Sequence, residues 1–275
     1  MPLPNALYLG LPRCGSTWLA GHLASHPDVF VPAAKDLYFF DRHHDLGQAW
    51  YGRQFEGGES AHVRIEFSHD YLFSPSAMSR IADLLPDARF VVGLREPTSY
   101  LASTVANLRR NGLSEATIAL ATESGRLLGG AQFDRFVEPW VDTFPADRFL
   151  WYRYDELRAD PAAVYRRVLG HLDLDEIVPD DIGRPSNAMA APRSRLAARA
   201  AKHGALLTRR VGSPALAGRV KGNPTVRRIL YRATDDVPGH ETFADGAIRA
   251  SLRESVHRLA ELIDDPDLVD AWGYR

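Results

Sequence analysis

The most constraining feature of the sequence is a glycine-bounded loop near its start, Gly10-Leu-Pro-Arg-Cys-Gly15-Ser16-Thr17. Its glycines and hydroxyl residue have the spacing of a phosphate-binding P-loop, in which backbone N–H groups and a helix N-terminus surround an anion. Ser16, however, stands where a nucleotide triphosphatase has its lysine, and the loop's cation is Arg13. The loop therefore predicts phosphate binding, but argues against a polyphosphate held with Mg²⁺.

The residues around this loop have the strand–loop–helix order that it requires. An apolar run at 6–10 predicts a strand, and residues 16–26 predict a helix that Ser16 or Thr17 caps. Further apolar runs predict strands at 62–67, 89–94 and 148–154. Helical patterns cover about 76–85, 97–110, 131–144 and 161–172. This alternation predicts an α/β, P-loop-type three-layer fold: a mainly parallel central sheet with helices on both faces.

Parallel sheets bind ligands at the carboxyl ends of their strands, which places the 11–16 loop, the 67–70 segment and Arg95 on one predicted rim. We predict one domain over 1–275. Its parts are a nucleotide-binding core at 6–175, a basic helical lid or acceptor region at 184–245, and a C-terminal helix within 246–275 that docks on the core.

The charge distribution is uneven, although the net charge is only −2. Residues 184–232 contain twelve Lys or Arg residues and no Asp or Glu. This segment predicts an anion-facing surface, a peripheral membrane contact or a basic lid. We expect no nucleic-acid partner, because the aromatic residues that common nucleic-acid modules interleave with basic ones are missing.

The sequence also carries expectations about cellular location. The first ten residues lack the basic and apolar regions of a signal peptide, and no run of 18 apolar residues exists. The one cysteine, Cys14, excludes an intramolecular disulfide and a thiolate zinc cluster. We therefore expect a cytoplasmic protein that needs no metal.

A second informative stretch is RFVVGLREPTSYLASTVANLRRNG, residues 89–112. Arg95 follows a predicted buried strand, and Ser103 lies about two turns into the next predicted helix. A guanidinium and a hydroxyl group placed in this way suit a second phosphate. The two stretches together predict a ligand with two separated phosphates and no metal.

This combination resembles the sulfotransferase family, which uses 3′-phosphoadenosine 5′-phosphosulfate (PAPS). The family's first motif, P-[KR]-[SC]-G-[ST]-T-x-L, is similar to residues 12–19, and its second, an Arg and a Ser eight residues apart, to Arg95 and Ser103. Residues 25–41 and 140–161 are similar to segments of bacterial and heparan-sulfate-type members. The resemblance covers about 6–175.

The resemblance implies sulfuryl transfer from PAPS to a hydroxyl or amine of a small-molecule, glycan or lipid acceptor by in-line displacement, without a metal. Arg95 and Ser103 would bind the 3′-phosphate, and Arg13 would also stabilise the leaving phosphate. In the basic segment, Arg193 and Lys221 are candidate ligands of the adenine or the 3′-phosphate. The 5′-phosphosulfate would be bound by the first motif, at Arg13, Cys14, Gly15, Ser16, Thr17 and Trp18.

The resemblance offers two candidate catalytic bases. Asp36 matches a glutamate of heparan-sulfate-type members and ranks first, whereas His69 matches the histidine of cytosolic phenol and steroid sulfotransferases. Alternatively, Asp36 is a helix N-cap and His69 pairs with Asp70. Phe67 stands where heparan-type members have a lysine, and Lys35 is a candidate to replace it.

Two other functions stay open at this point. One is a P-loop kinase or nucleotide hydrolase, which would bind ATP or GTP with Mg²⁺. The other is a non-catalytic protein that binds a phosphonucleotide without turnover.

Overall fold

The computed structural model describes residues 1–110, 113–184, 190–192, 231–233, 243 and 246–275. The chain divides into two compact units. The first contains Met1–Leu94 and the described part of Thr143–Asn187, and the second contains Arg95–Asp142 and the C-terminal residues from 246 onward. Each unit is described by itself, and a single domain over the whole chain stays a prediction.

The first unit is built on a five-stranded sheet in the order β2-β3-β1-β4-β5, and every neighbouring pair of strands is parallel. The predicted α/β fold with a parallel sheet is thereby confirmed. The sequence patterns missed β2, because a two-residue strand is too short to show a period. The strands are β1 (Ala6–Gly10), β2 (Val29–Phe30), β3 (Val63–Phe67), β4 (Arg89–Leu94) and β5 (Phe149–Arg153).

The helices at 75–84, 97–110, 134–143 and 161–171 occupy predicted stretches with small shifts at their ends. Pro97 and Pro161 each begin a helix, as expected for a residue that has no N–H to leave unpaired. The helices are α1 (Ser16–Leu23), α2 (Gly47–Arg53), α3 (Pro75–Leu84), α4 (Pro97–Arg110), α5 (Glu115–Glu123), α6 (Arg126–Gly129), α7 (Asp134–Thr143), α8 (Tyr154–Ala159), α9 (Pro161–His171), α10 (Gly246–Leu262) and α11 (Leu268–Ala271).

The core of the first unit lies between the sheet and helices α1 and α9. All five residues of β1 are buried, as expected for a strand at the centre of a parallel sheet. Trp18 of α1 packs edge-on against Tyr165 of α9, and its indole Nε1 donates to the Ile182 carbonyl at 3.0 Å. Burying side chains of this size stabilises the fold by about 1.5–3 kcal/mol each, so α1 is held firmly where it leaves the loop.

The start of α1 differs from the prediction that Ser16 or Thr17 caps it. The helix begins at Ser16, and its cap is Gly15 in the left-handed region at φ 88°. A Cβ on Gly15 would also lie 2.3 Å from a Leu157 methyl carbon. Glycine is therefore required here by backbone and by space, and both hydroxyl residues fall in the first helical turn.

The second unit holds α4, α5, α6, α10, α11 and all but the last residue of α7. The Glu96 carboxylate accepts hydrogen bonds from the Thr98 and Ser99 amides at 3.1 and 2.7 Å, which caps α4. The Tyr274 hydroxyl donates to the same carboxylate at 2.8 Å. The C-terminal tail is thus tied to the start of α4.

The predicted C-terminal helix is α10, and Trp272, which follows α11, is buried. Two short strands, β6 (Ala190–Pro192) and β7 (Tyr231–Ala233), form an antiparallel pair. The predicted basic helix within 184–232 otherwise lies outside the described residues.

Across the described ranges, no helix combines the length and the apolar character needed to cross a membrane.

Candidate active site

The phosphate loop connects β1 to α1, and neighbouring strands fix its backbone. The Tyr152 hydroxyl donates to the Cys14 carbonyl at 2.6 Å, and the Tyr8 hydroxyl donates to the Leu11 carbonyl at 3.1 Å. The Leu11 amide donates to the Gly93 carbonyl at 2.7 Å. Burial raises the pKa of both tyrosines above its ordinary value, so their hydroxyls remain donors. The loop is therefore anchored through its carbonyl groups.

The side chains of the loop have unequal parts. Cys14 is fully buried, and its thiol lies 3.7 Å from the Pro12 carbonyl, which suits packing rather than nucleophilic chemistry. Trp18 lies in the core, so a ligand could reach it only through its backbone amide. Arg13 adopts a left-handed φ of 68°, which is uncommon for a residue with a Cβ.

A cation reaches the loop from a distant part of the sequence. The Lys35 ammonium donates to the Ser16 hydroxyl at 2.7 Å and to the Thr17 hydroxyl at 3.1 Å. Ser16 is the residue that replaces the lysine of a nucleotide triphosphatase loop. The Lys35 ammonium therefore places a positive charge beside the position where a nucleotide triphosphatase loop has its own lysine.

The two candidate bases contact each other. Asp36 Oδ1 lies 2.9 Å from His69 Nδ1, and the Tyr38 hydroxyl lies 3.2 Å from His69 Nε2. An ionised carboxylate can only accept, so Nδ1 carries the proton and Nε2 is the accepting nitrogen. A carboxylate that orients an imidazole in this way is a common arrangement for a general base.

The topology explains this contact. His69 follows β3 and the segment with Asp36 follows β2, and these strands are parallel neighbours whose carboxyl ends share one edge. The Asp36 amide donates to the Phe67 carbonyl at 2.8 Å. Asp36 is not a helix N-cap, because its residue lies in an irregular segment. His69 Nε2 also lies 3.6 Å from an Asp70 oxygen, which is beyond hydrogen-bond distance, so Asp36 rather than Asp70 is the carboxylate hydrogen-bonded to the imidazole.

Phe67 is buried and stacks on Tyr8 at 5.4 Å between ring centroids, which makes it a core residue. Beside the histidine, the Arg42 guanidinium lies 4.0 Å over the Tyr38 ring and pairs with Asp70. Aromatic and charged groups therefore adjoin His69.

Glu66 is a functional-site neighbour that the sequence analysis missed. It is 1% exposed, and it accepts hydrogen bonds from the hydroxyls of Tyr51, Ser68 and Tyr71. Burial raises its pKa to about 7, although these hydrogen bonds act in the opposite direction. The signal that could have revealed it is a lone acidic residue inside the apolar strand pattern of β3.

The predicted 3′-phosphate residues lie in the second unit. Arg95 directly follows β4, and its Nε donates to the Ser99 hydroxyl at 2.9 Å. Ser103 is buried one turn beyond Ser99 on the same helix. Ser99 and Ser103 are spaced four apart on α4 and share one face of it, and Arg95, which precedes the helix, contacts that face through Ser99.

Arg193 and Lys221 lie outside the described residues, and their roles stay predictions. Among the residues that the structure describes, no three His, Cys, Asp or Glu side chains are grouped to hold a metal ion.

Comparisons with known proteins agree with this geometry. The sequence model of the Sulfotransferase family matches residues 66–180, which include β4, His69, Arg95 and Ser103. Residues 66–180 therefore carry the sequence pattern of the sulfotransferase family.

Among its relatives, mouse heparan sulfate glucosamine 3-O-sulfotransferase 3B1 is 26% identical over 246 residues, which cover 85% of this chain and 60% of that protein. The bifunctional heparan sulfate N-deacetylase/N-sulfotransferase 1 of Caenorhabditis briggsae is 29% identical and covers 63% of this chain and 23% of that protein. The chain thus spans well under two thirds of the length of these relatives.

Solved sulfotransferases share the fold. A sulfotransferase from Alicyclobacillus acidocaldarius superimposes with a TM-score of 0.69 over 99% of this chain and all of that one, at 21% identity. A mouse sulfotransferase complexed with PAP gives a TM-score of 0.52 over 99% of this chain and 88% of that one, at 14% identity. At these identities the likeness shows the sulfotransferase fold alone.

The raised pKa of Glu66 predicts a pH-dependent stability. The folded state binds this proton more tightly than the unfolded state, so the free energy of unfolding falls as pH rises from about 4.5 to about 7. One such proton changes the folding equilibrium by at most about tenfold per pH unit. Chemical denaturation at pH 5, 6 and 7 should show a smaller fall in Glu66→Gln than in the wild type.

The exposed Glu59 provides the matched control, because Glu59→Gln should keep the wild-type fall. Burial also raises the pKa of Asp41, so this residue contributes to the pH dependence of stability in every variant. The contribution of Glu66 is therefore the difference between the variant and the wild type in how the free energy of unfolding changes with pH. Equal slopes in Glu66→Gln and the wild type would show that Glu66 does not titrate in this range.

Proposed function

We propose that this chain transfers a sulfuryl group from PAPS to a hydroxyl or amine of an acceptor by in-line displacement. One observation carries the proposal: adjacent residues connect the two halves of such a reaction. Lys35 contacts the phosphate loop, and Asp36 contacts His69. An anion-binding loop and an oriented base are thereby held by a single short segment.

The donor set of the loop fits the 5′-phosphosulfate of PAPS. The first amides of α1 have no acceptor within the helix, and they suit an anion together with the hydroxyls of Ser16 and Thr17. Lys35 adds a positive charge to these two hydroxyls, and Arg13 supplies a second cation within the loop. We propose that these groups stabilise the charge that develops on the leaving phosphate.

We assign the 3′-phosphate to Arg95 and Ser103. The support is the contact of Arg95 with Ser99, one turn before Ser103 on α4, the half-buried guanidinium and the match to the family's second motif. Arg193 and Lys221 remain proposed ligands, as does a lid formed by the basic segment.

PAPS supplies the sulfuryl group, and its bisphosphate leaves as PAP. The acceptor oxygen bonds to sulfur while the bond from sulfur to the 5′-phosphate oxygen breaks, and His69 Nε2 takes the acceptor's proton. Asp36 holds the imidazole and stabilises its charged form. The Tyr38 hydroxyl at 3.2 Å supports this role, since it shows that a hydroxyl donor fits at Nε2. His69 is therefore the proposed base and Asp36 its partner.

A glycan is the acceptor class that the comparisons favour, because the relatives are named for the sulfation of heparan sulfate. Small-molecule and lipid acceptors belong in the same test panel. A cytoplasmic location and the absence of a metal requirement stay predictions from the sequence.

Ligand-dependent melting tests the donor site. PAP at about 100 times its dissociation constant should add about 2.7 kcal/mol of stability, which is a shift of several degrees for a chain of this size. Arg95→Ala and Ser103→Ala should each reduce that shift. Arg109→Ala is the matched control, because this arginine lies on the same helix and pairs with the exposed Glu115.

ATP with Mg²⁺ provides the rival condition. Stabilisation by ATP–Mg²⁺ and not by PAP would contradict the proposed function and favour a P-loop kinase or nucleotide hydrolase. Stabilisation by PAP without turnover of PAPS on any acceptor would favour the non-catalytic phosphonucleotide-binding protein.

The roles of His69 as base and Asp36 as its partner are tested by turnover with ³⁵S-labelled PAPS. His69→Gln and Asp36→Asn should each lower kcat by about 100-fold or more, because proton transfer in the transition state is worth about 10²- to 10⁴-fold. The PAP-induced melting shift should persist in both variants. His62→Gln, at an exposed histidine, should turn over like the wild type, and full activity in His69→Gln would refute its role as base.

Lys35 is tested in the same assay. Lys35→Met should lower kcat by about 10²- to 10³-fold, the loss typical of removing one donor to developing charge. Lys35→Arg should retain part of the activity. Arg53→Met removes an exposed cation on α2 and should have no effect. Wild-type turnover in Lys35→Met would mean that another group supplies this charge.

A further inference from the structure

Glu66 is a buried carboxylate to which the proposed reaction gives no direct part. It is 1% exposed at the carboxyl end of β3, below the segment that carries Lys35 and Asp36. Placing a carboxylate there is unfavourable unless its oxygens are hydrogen-bonded. The partners that satisfy it indicate what it does.

Two of those partners connect Glu66 to the backbone of the irregular segment. The Ser68 hydroxyl donates to Glu66 Oε1 at 2.5 Å and accepts the Tyr38 amide at 3.0 Å. The Tyr71 hydroxyl donates to the same oxygen at 2.7 Å and accepts the Phe40 amide at 3.3 Å. Each hydroxyl group has only one proton. When Ser68 or Tyr71 donates that proton to Glu66, the lone pairs of its hydroxyl oxygen are left to accept the amide of Tyr38 or Phe40.

The segment held in this way has an unfavourable backbone. Asp36 has a φ of 63° and Tyr38 a φ of 51°, both in the left-handed region that residues with a Cβ rarely adopt. Such conformations persist only where surrounding contacts determine them. The hydrogen bonds from the Tyr38 and Phe40 amides provide contacts of that kind.

We propose that Glu66 is a positioning residue that, through the hydroxyls of Ser68 and Tyr71, holds residues 36–40 in the conformation that places Asp36 on His69. This inference rests on the proposed function for its catalytic meaning, but its geometry concerns the protein alone. The third partner, Tyr51, donates to the other carboxylate oxygen. Tyr51 contacts residues 36–40 through its ring, which packs against Phe39 and Phe40, whereas its hydroxyl donates to Glu66 rather than to the backbone of that segment.

This difference between the two tyrosines provides a matched pair of variants. Tyr71→Phe removes a connection between Glu66 and the segment, whereas Tyr51→Phe removes only a hydrogen bond to Glu66. Both variants keep the aromatic ring and its packing against Phe40. Ser68→Ala removes the second connection.

The first readout is the ¹⁵N spectrum of His69 in the ligand-free protein, assigned by its loss in His69→Gln. Tyr71→Phe and Ser68→Ala should shift the Nδ1 resonance that reports the hydrogen bond to Asp36, and Tyr51→Phe should leave it unchanged. Glu66→Ala should shift the His69 Nδ1 resonance, and Glu66→Gln should leave it close to its wild-type position. The amide oxygen of that glutamine can still accept from both hydroxyls.

The second readout is turnover. Tyr71→Phe should lower kcat at least tenfold and leave the KM for PAPS and the PAP-induced melting shift unchanged. Tyr51→Phe should leave all three quantities at their wild-type values. Equal effects of the two tyrosine variants on the His69 spectrum, or no effect of Tyr71→Phe and Ser68→Ala, would overturn the proposal. The spectrum is recorded without substrate, so a protein that shows the expected shifts but transfers no sulfuryl group would contradict the proposed function and leave the positioning role standing.

Discussion

The candidate site depends on the conformation of residues 35–40, which form neither a helix nor a strand. Their carboxylate and ammonium groups meet different partners: Lys35 contacts the phosphate loop, and Asp36 contacts His69. An irregular segment lacks the regular backbone hydrogen bonds of a helix or strand, so other contacts must fix its conformation. The hydrogen bonds between Phe67 and Asp36, between Ser68 and Tyr38, and between Tyr71 and Phe40 serve this purpose.

The phosphate loop shows how one motif can be adapted to a different charge distribution. Its backbone is anchored by Tyr8 and Tyr152, and its turn depends on the left-handed Gly15. These features belong to the loop whatever cation accompanies it. Because Ser16 replaces the lysine, the positive charge at this point comes from Lys35, 19 residues further along the chain. Backbone shape and side-chain charge are thus contributed by separate parts of the sequence.

The main strands and the longer helices could be predicted from local patterns. The run at 89–94 and the pattern at 97–110 coincide with β4 and α4, since a continuous apolar run and a proline at the first turn are strong local signals. The loop motif was equally local. The two-residue β2 and the helices α2, α5, α6 and α8 were missed, because short elements with weak periodicity resemble irregular chain.

By itself, the sequence determined that strands and helices alternate, and it predicted an anion-binding loop and the two side chains that could serve as base. Only the tertiary structure decided how these side chains combine. Asp36 and His69 were alternatives in sequence, and they are partners because β2 and β3 lie side by side in parallel. Glu66 was one residue of a strand, and its three hydroxyl partners come from separate turns and helices. Strand order and long-range contacts set these pairings, and no local period of the sequence records them.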